Sequence, residues 1–175
     1  MDAKDIITNK SFCVLPWTGF ELEPNGDVKN CIISKNELGN INNTNIENIM
    51  SGPENLKLKN DMLADRKPHN CSGCHLQEKE RKDLSSISSR LYYNRELGKT
   101  FLNTKTDFSL HHVDLRWTNH CNQACVYCHP MYSSKWATEL NTKVESNKQR
   151  RDHLKNFVFK NIKPVSYTHL RAHET

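Results

Sequence analysis

The chain has 175 residues, 35% of them hydrophobic and 26% charged, with 25 Lys+Arg against 20 Asp+Glu and 7 Cys. That length fits one ordinary domain or two small ones; no apolar run approaches the roughly 20 residues of a spanning helix, and the opening MDAKDIITNK has no apolar leader core. The expectation is a cytoplasmic protein with no membrane contact. The net charge of +5 is spread along the chain and gives no reason to expect nucleic acid.

From Trp17 to Ile33 the pattern is a β-hairpin, WTGFEL and VKNCII around the turn Pro24-Asn25-Gly26-Asp27, because Asn-Gly tolerates the positive φ of tight hairpin turns. The hairpin returns Cys31 towards Cys13. Residues 38–45 form a polar loop. Short helices are expected at 46–50 and, with Pro53 in the first turn, at 54–64. A further helix is expected over 85–97, with Ile87, Leu91 and Leu97 on one side and Gly98 as its stop. Residues 111–118 alternate, with Val113, Leu115 and Trp117 on one face, which is a strand. Tyr132, Trp136, Leu140 and Val144 recur every four residues, so a helix capped by Ser133 or Ser134 is expected to run past Val144. The charged run 148–155 reads as a solvated helix face, and Phe157 to Ile162 as the start of the next strand.

Seven cysteines dominate the chemistry. A mean hydropathy of -0.80 is low for a globular chain, so something other than a large apolar core is expected to hold it together. In a reducing compartment clustered thiols serve as metal ligands or redox groups more often than as disulfides, and an odd total cannot all pair. Between the strand and the helix stands Cys121-Asn122-Gln123-Ala124-Cys125-Val126-Tyr127-Cys128, a C-x3-C-x2-C triplet. A loop leaving the C-terminal end of a parallel strand lies where α/β folds bind ligands. Three thiolates there can hold three irons of a cubane and leave the fourth iron open. A structural zinc with His120 or His129 as fourth ligand is the alternative, although zinc ligands usually come as two separated pairs.

The triplet, with the strand before it and an aromatic residue before the third cysteine, resembles the signature of the radical S-adenosylmethionine (radical SAM) enzymes. The resemblance implies a [4Fe-4S] cluster on Cys121, Cys125 and Cys128, an open iron that binds S-adenosylmethionine, and Tyr127 near the adenine. It also implies an electron donor such as flavodoxin or ferredoxin.

The other four cysteines, Cys13, Cys31 and the Cys71-x2-Cys74 knuckle, make a closed set that could hold zinc or a [4Fe-4S] cluster. A thioredoxin-like role for the knuckle lacks a strand and helix to place it at a helix N-terminus. The order Cys13, Pro16-Trp17, Asn25-Gly26, Cys31, Gly39-Asn40, Cys71-x2-Cys74 resembles the SPASM domain and its shorter twitch form, which carry auxiliary iron-sulfur clusters. Here the module precedes the triplet, whereas it more commonly follows. Modules of this type accompany modification of peptides or proteins, which is the substrate class implied.

His69, His75, His120 and His129 flank cysteines as ligands, supporting donors or exposed loop residues. Arg116 and Asn119 lie where they could meet a cofactor carboxylate or substrate, although residues beside a strand end are as often structural, while Trp17, Trp117 and Trp136 are expected in the core. Phosphate-loop, dinucleotide and zincin motifs are absent. Residues 165–175, VSYTHLRAHET, back-translate with permitted codons to a transposase adapter of sequencing libraries and are expected to be non-native.

The expectation is an α/β protein in three parts. A small α+β twitch or SPASM-like module occupies 1–108, the first βα unit of a truncated radical SAM barrel occupies 109–164, and the adapter tail follows. The parent would be an enzyme, and this fragment inactive alone. A non-enzymatic zinc module and a simple iron-sulfur electron-transfer protein are the rivals.

Overall fold

The computed structural model describes residues 9–80, 88–104, 108–144 and 147–163. Its centre is a four-stranded sheet of order β3-β2-β1-β4, built from β1 (Gly19–Leu22), β2 (Asp27–Lys29), β3 (Gly39–Asn40) and β4 (His112–Leu115). β1 runs antiparallel to β2 and parallel to β4, with Glu21 opposite both Lys29 and Asp114.

The hairpin forms as expected but is shorter, because Leu15–Thr18 makes a one-turn helix, α1, with Pro16 in its first turn. Gly26 takes φ +93 at the turn. Asn40 and Asn42 both donate to Asn25 O, at 3.2 and 2.8 Å, and bind the turn to the stretch that holds β3. α2 (Ile46–Met50) and α3 (Pro53–Leu63) stand where the caps and periodicity place them.

Four helical expectations need correction. Cys71 lies in a 3-10 turn (His69–Cys71) that leads directly into α4 (Ser72–Glu80), so the knuckle does sit at a helix N-terminus. α5 (Ser89–Thr104) runs through Gly98 because Phe101 beyond it packs against Phe12 and Trp17, at centroid distances of 5.1 and 5.3 Å, and that burial outweighs the glycine's cost. Residues 85–87 of that expected helix lie outside the described residues. α6 is confined to Ser134–Glu139 and stops at Asn141, φ 49, with Leu140 solvent-exposed; the four-residue period had no core to face. α7 (Lys148–Asn161) continues through the segment expected to be a strand, because Arg151, Leu154 and Val158 form its buried stripe. The expectation for residues 165–175 falls outside the described residues.

One face of the sheet carries Phe20, Leu22, Val28 and Val113 into a core shared with Phe12, Leu15, Trp17, Met62 and the α7 residues Leu154 and Val158. The opposite face carries Glu21, Lys29 and Asp114. After α7 the chain returns to β4, where Lys163 N donates to Leu110 O at 2.9 Å. Among the described residues no helix is long and apolar enough to cross a membrane.

Gly19 sets how closely β1 and β4 approach, since a Cβ there would lie 2.5 Å from the backbone oxygen of His112. Replacing Gly19 by Ala should lower the urea midpoint by the equivalent of about 1–3 kcal/mol. At Gly73 of α4 an added Cβ would meet nothing within 4 Å, so Gly73→Ala should be neutral or mildly stabilising. Equal midpoints for the two variants would refute the close β1–β4 contact.

Candidate functional site

The four upstream cysteines arrive from three separate segments. Cys13 lies in the extended stretch before α1, fixed by Asn94 of α5, whose Oδ1 accepts from Val14 N at 2.9 Å and whose Nδ2 donates to Phe12 O at 2.8 Å. Arg90 of α5 also donates to Phe12 O at 2.9 Å while its other arm holds Glu78 of α4 at 2.6 Å. One pair of helices thereby fixes both the Cys13 segment and the Cys74 helix. Cys31 follows β2 in a turn closed by Ser34 N on Cys31 O, and Lys35 N reaches Asn70 O at 3.3 Å beside the knuckle. Cys13, Cys71 and Cys74 are buried and Cys31 half-buried.

The four thiols stand close enough to repel one another as thiolates: Cys13 feels Cys71, Cys31 and Cys74, and Cys71 feels Cys31 and Cys74. Burial is the leading effect on each. It raises Cys13 well above the ordinary thiol value, Cys31 to about 11 and Cys71 to about 12, and raises Cys74 as well. Opposing it are backbone N–H groups aimed at sulfur, from Leu15 to Cys13, from Ile33 and Ser34 to Cys31, and from Arg90 and Ser89 to Cys74. A reactive redox cysteine at a helix N-terminus has a depressed value. The helix position of the knuckle therefore does not make it a thioredoxin-like pair. Buried thiols supplied with N–H donors are suited to a bound group whose positive charge takes their protons.

Asn30 is 1% exposed, and neither its amide nitrogen nor its oxygen completes a hydrogen bond. Its side chain nonetheless favours the Cys71 thiolate. An orphaned buried amide beside the Cys71 thiol is a donor poised for sulfur. Among the described residues no group of three or more His, Cys, Asp or Glu side chains is placed to hold a single metal ion. Four thiols are a donor set that either a cubane or a zinc ion can use.

The triplet is built differently. Cys121, Cys125 and Cys128 are half-buried in an irregular loop beyond β4, and Val126 and Tyr127 at its tip are 95% and 93% exposed. Backbone carbonyls pin this loop to the start of α6: Ser133 Oγ donates to Gln123 O at 2.8 Å, Ser134 Oγ to Cys121 O at 3.0 Å and Trp136 Nε1 to Cys125 O at 2.9 Å. Trp136 is thus a loop contact where a core residue was expected. His129 caps the 3-10 turn Pro130–Tyr132 by accepting from Met131 N, while His120 and His69 are exposed. His75, beside Cys74, has no hydrogen bond on either ring nitrogen, and burial lowers its pKa.

Sequence reasoning missed the carboxylates. Glu21 on β1 and Glu23 just past it are 1% and 2% exposed, and Arg116 at the end of β4 ion-pairs with both. Asp114 is 3.4 Å from the same guanidinium. Arg116 is therefore engaged within the protein, and Asn119 donates to Pro130 O at 3.2 Å. Burial pushes Glu23 up, but hydrogen bonds from Lys29 and Tyr132 and the charges of Lys29 and Arg116 outweigh it and hold Glu23 below the usual carboxylate value. Nothing in the residues FEL of the hairpin signalled two buried acids; only the later Arg116 hints at a partner.

Residues 13–75 match a family model described as an iron-sulfur cluster-binding domain, SPASM. The matched segment opens on Cys13 and closes one residue past Cys74, so it contains the whole upstream set and none of the triplet. No curated protein and no solved structure matches the chain.

Burial, opposed by Arg116 and reinforced by Glu23 and Asp114, raises Glu21 from 4.5 to about 7. Between those values the unfolded chain has released the proton that the folded chain keeps, so stability falls as pH rises through the window and levels off above it. Glu21→Gln removes this contribution. Its urea midpoint should gain on the wild type steadily from pH 4.5 to 7; a difference independent of pH would show that Glu21 is not held protonated.

Proposed function

We propose that the chain is the N-terminal part of a radical SAM enzyme, with an auxiliary [4Fe-4S] cluster on Cys13, Cys31, Cys71 and Cys74 and a catalytic one on Cys121, Cys125 and Cys128. The observation that carries the first half is the buried four-thiol set inside a segment matched by an iron-sulfur cluster-binding family. The second half is supported by where the triplet stands, on a loop at the C-terminal end of β4, with β4 parallel to its neighbour and α7 leading the chain back to Leu110. That return is how the second strand of a βαβ unit starts. On this reading residues 1–108 are the auxiliary module and 109–164 the opening of the barrel, and activity belongs to a longer chain.

With its cluster and S-adenosylmethionine bound, the triplet site would supply one electron for reductive cleavage to a 5'-deoxyadenosyl radical that abstracts a substrate hydrogen. The chain's own residues do the placing. Ser133, Ser134 and Trp136 hold the loop by its carbonyls, and the Cys125 and Cys128 thiols make only contacts within the loop, to Gln123 Oε1 at 3.6 Å and His129 O at 3.7 Å, which iron would displace. Tyr127, 93% exposed beside Cys128, is free to lie against an adenine ring. Burial of the upstream set keeps water from the auxiliary cluster. The electron comes from a small donor such as flavodoxin or ferredoxin, the substrate is a peptide or protein, and the setting is the cytoplasm.

Anaerobic reconstitution should yield about eight iron and eight sulfide per chain, as two cubanes require. Cys125→Ala should halve both figures by emptying the triplet alone, and Cys74→Ala should empty the upstream site alone. Zinc without sulfide would replace the reading with structural metal binding. In the longer chain, S-adenosylmethionine cleavage that survived Cys128→Ala would reject the catalytic role of the triplet.

A further inference from the structure

We propose that Arg116 is the positioning residue of the triplet loop: with Tyr132 it forms a clasp that closes residues 116–132 and fastens them to the buried carboxylates at the end of β1. The functional meaning of this clasp rests on reading the triplet as a metal site.

Arg116 stands five residues before Cys121, and Tyr132 four residues after Cys128, so the two bracket every triplet thiol. The guanidinium lies over the Tyr132 ring, 5.4 Å from its centroid. Its Nη1 ion-pairs with Glu21 and reaches Glu23 Oε2 at 3.1 Å, and its backbone N–H donates to Leu22 O at 3.0 Å. The Tyr132 hydroxyl faces Glu23 and helps to hold its pKa down, while Lys29 Nζ donates to Glu23 Oε1 at 2.9 Å. Both ends of the loop therefore close on one carboxylate, and that carboxylate is cross-linked to β2.

The loop has little else to fix it. Among the described residues, hydrogen bonds from 118–131 stay within the loop or run to 133–136, so loop, turn and α6 behave as one piece. Polar ties from that piece to the rest of the protein run through its base, at Arg116, Trp117 and Tyr132; the Trp117 carbonyl accepts from Arg151 of α7. Glu21 and Glu23 are buried, so releasing Arg116 takes away the ion pair of Glu21 and leaves Glu23 with Lys29. Lysine could restore the charge at Glu21 and Glu23 but not the second arm that reaches Asp114, nor the flat stack on tyrosine.

Peptide-resolved hydrogen exchange on the metal-free full chain tests the clasp without any cluster. Arg116→Gln should speed exchange across 117–131 by about tenfold or more while β1, β2 and α5 stay within about twofold. Arg116→Lys should fall between the two, and Tyr132→Phe should loosen the same segment by a smaller factor. Unchanged loop exchange in Arg116→Gln, or acceleration spread evenly over the whole chain, would overturn the proposal. If Arg116→Gln does not fold, Tyr132→Phe decides, because Tyr132 is 37% exposed and loses only its hydroxyl. After reconstitution, Arg116→Gln should lose iron from the triplet and keep it at the upstream cysteines. A loosened loop in the variant, with a wild type that takes up no triplet iron, would uphold the clasp and sink the cluster reading instead.

Discussion

The parallel pairing of β1 with β4 is the contact on which the two cysteine sets depend. β1 belongs to the segment that holds the upstream thiols, and β4 leads straight into the triplet loop. Their close approach at Gly19 lets four consecutive register pairs form, from Gly19 with His112 to Leu22 with Leu115. Strict alternation then sorts the side chains. Phe20, Leu22, Val113 and Leu115 go to the core face, and Glu21 and Asp114 go to the other, where Lys29 of β2 joins them. A single pairing thus builds an apolar core and a charged face back to back, and the charged face is where the triplet loop is tied down.

A chain of such low mean hydropathy must find burial elsewhere, and it finds it in thiols and paired polar groups. Cys13 and Cys71 belong to the same packed cluster as Phe12, Trp17 and Met62. Arg90, Asn94, Asn55 and Arg151 are all buried, and each donates to backbone carbonyls of distant segments. These side chains do by directed hydrogen bonds what a larger apolar core would do by area alone, since each buried amide or guanidinium is costly unless its partners stand in one arrangement.

Local chemistry makes much of the fold legible in the sequence. Asn25-Gly26 marks the hairpin turn, Pro53 the start of a helix, alternation the strand around Val113, and Ser133 the cap of α6. The failures share a cause: where a helix ends depends on what its next turn can bury. α6 ends early because Leu140 has no core to meet, α7 runs on because Leu154 and Val158 do, and α5 crosses Gly98 to bury Phe101. Cysteine spacing announces both thiol sets. The residues that hold them in place, Asn94, Arg90, Glu21 and Glu23, are separated from their partners by as much as 95 positions, from Glu21 to Arg116, and carry no local signature.

Burial divides the seven cysteines into two chemistries more sharply than spacing does. Three of the upstream thiols are buried, every one of the four is raised by desolvation, and N–H donors or an amide already face them, which is the environment of a closed and permanent site. The triplet thiols are half-exposed, and the bonds that tie the loop to α6 run through its backbone. A loop fixed through its backbone keeps its side chains available. It also keeps its shape while its side chains face solvent, provided that something rigid anchors its two ends. Arg116 and Tyr132, seated on buried carboxylates, supply that rigidity from the strand pair that joins the two cysteine-bearing parts of the chain.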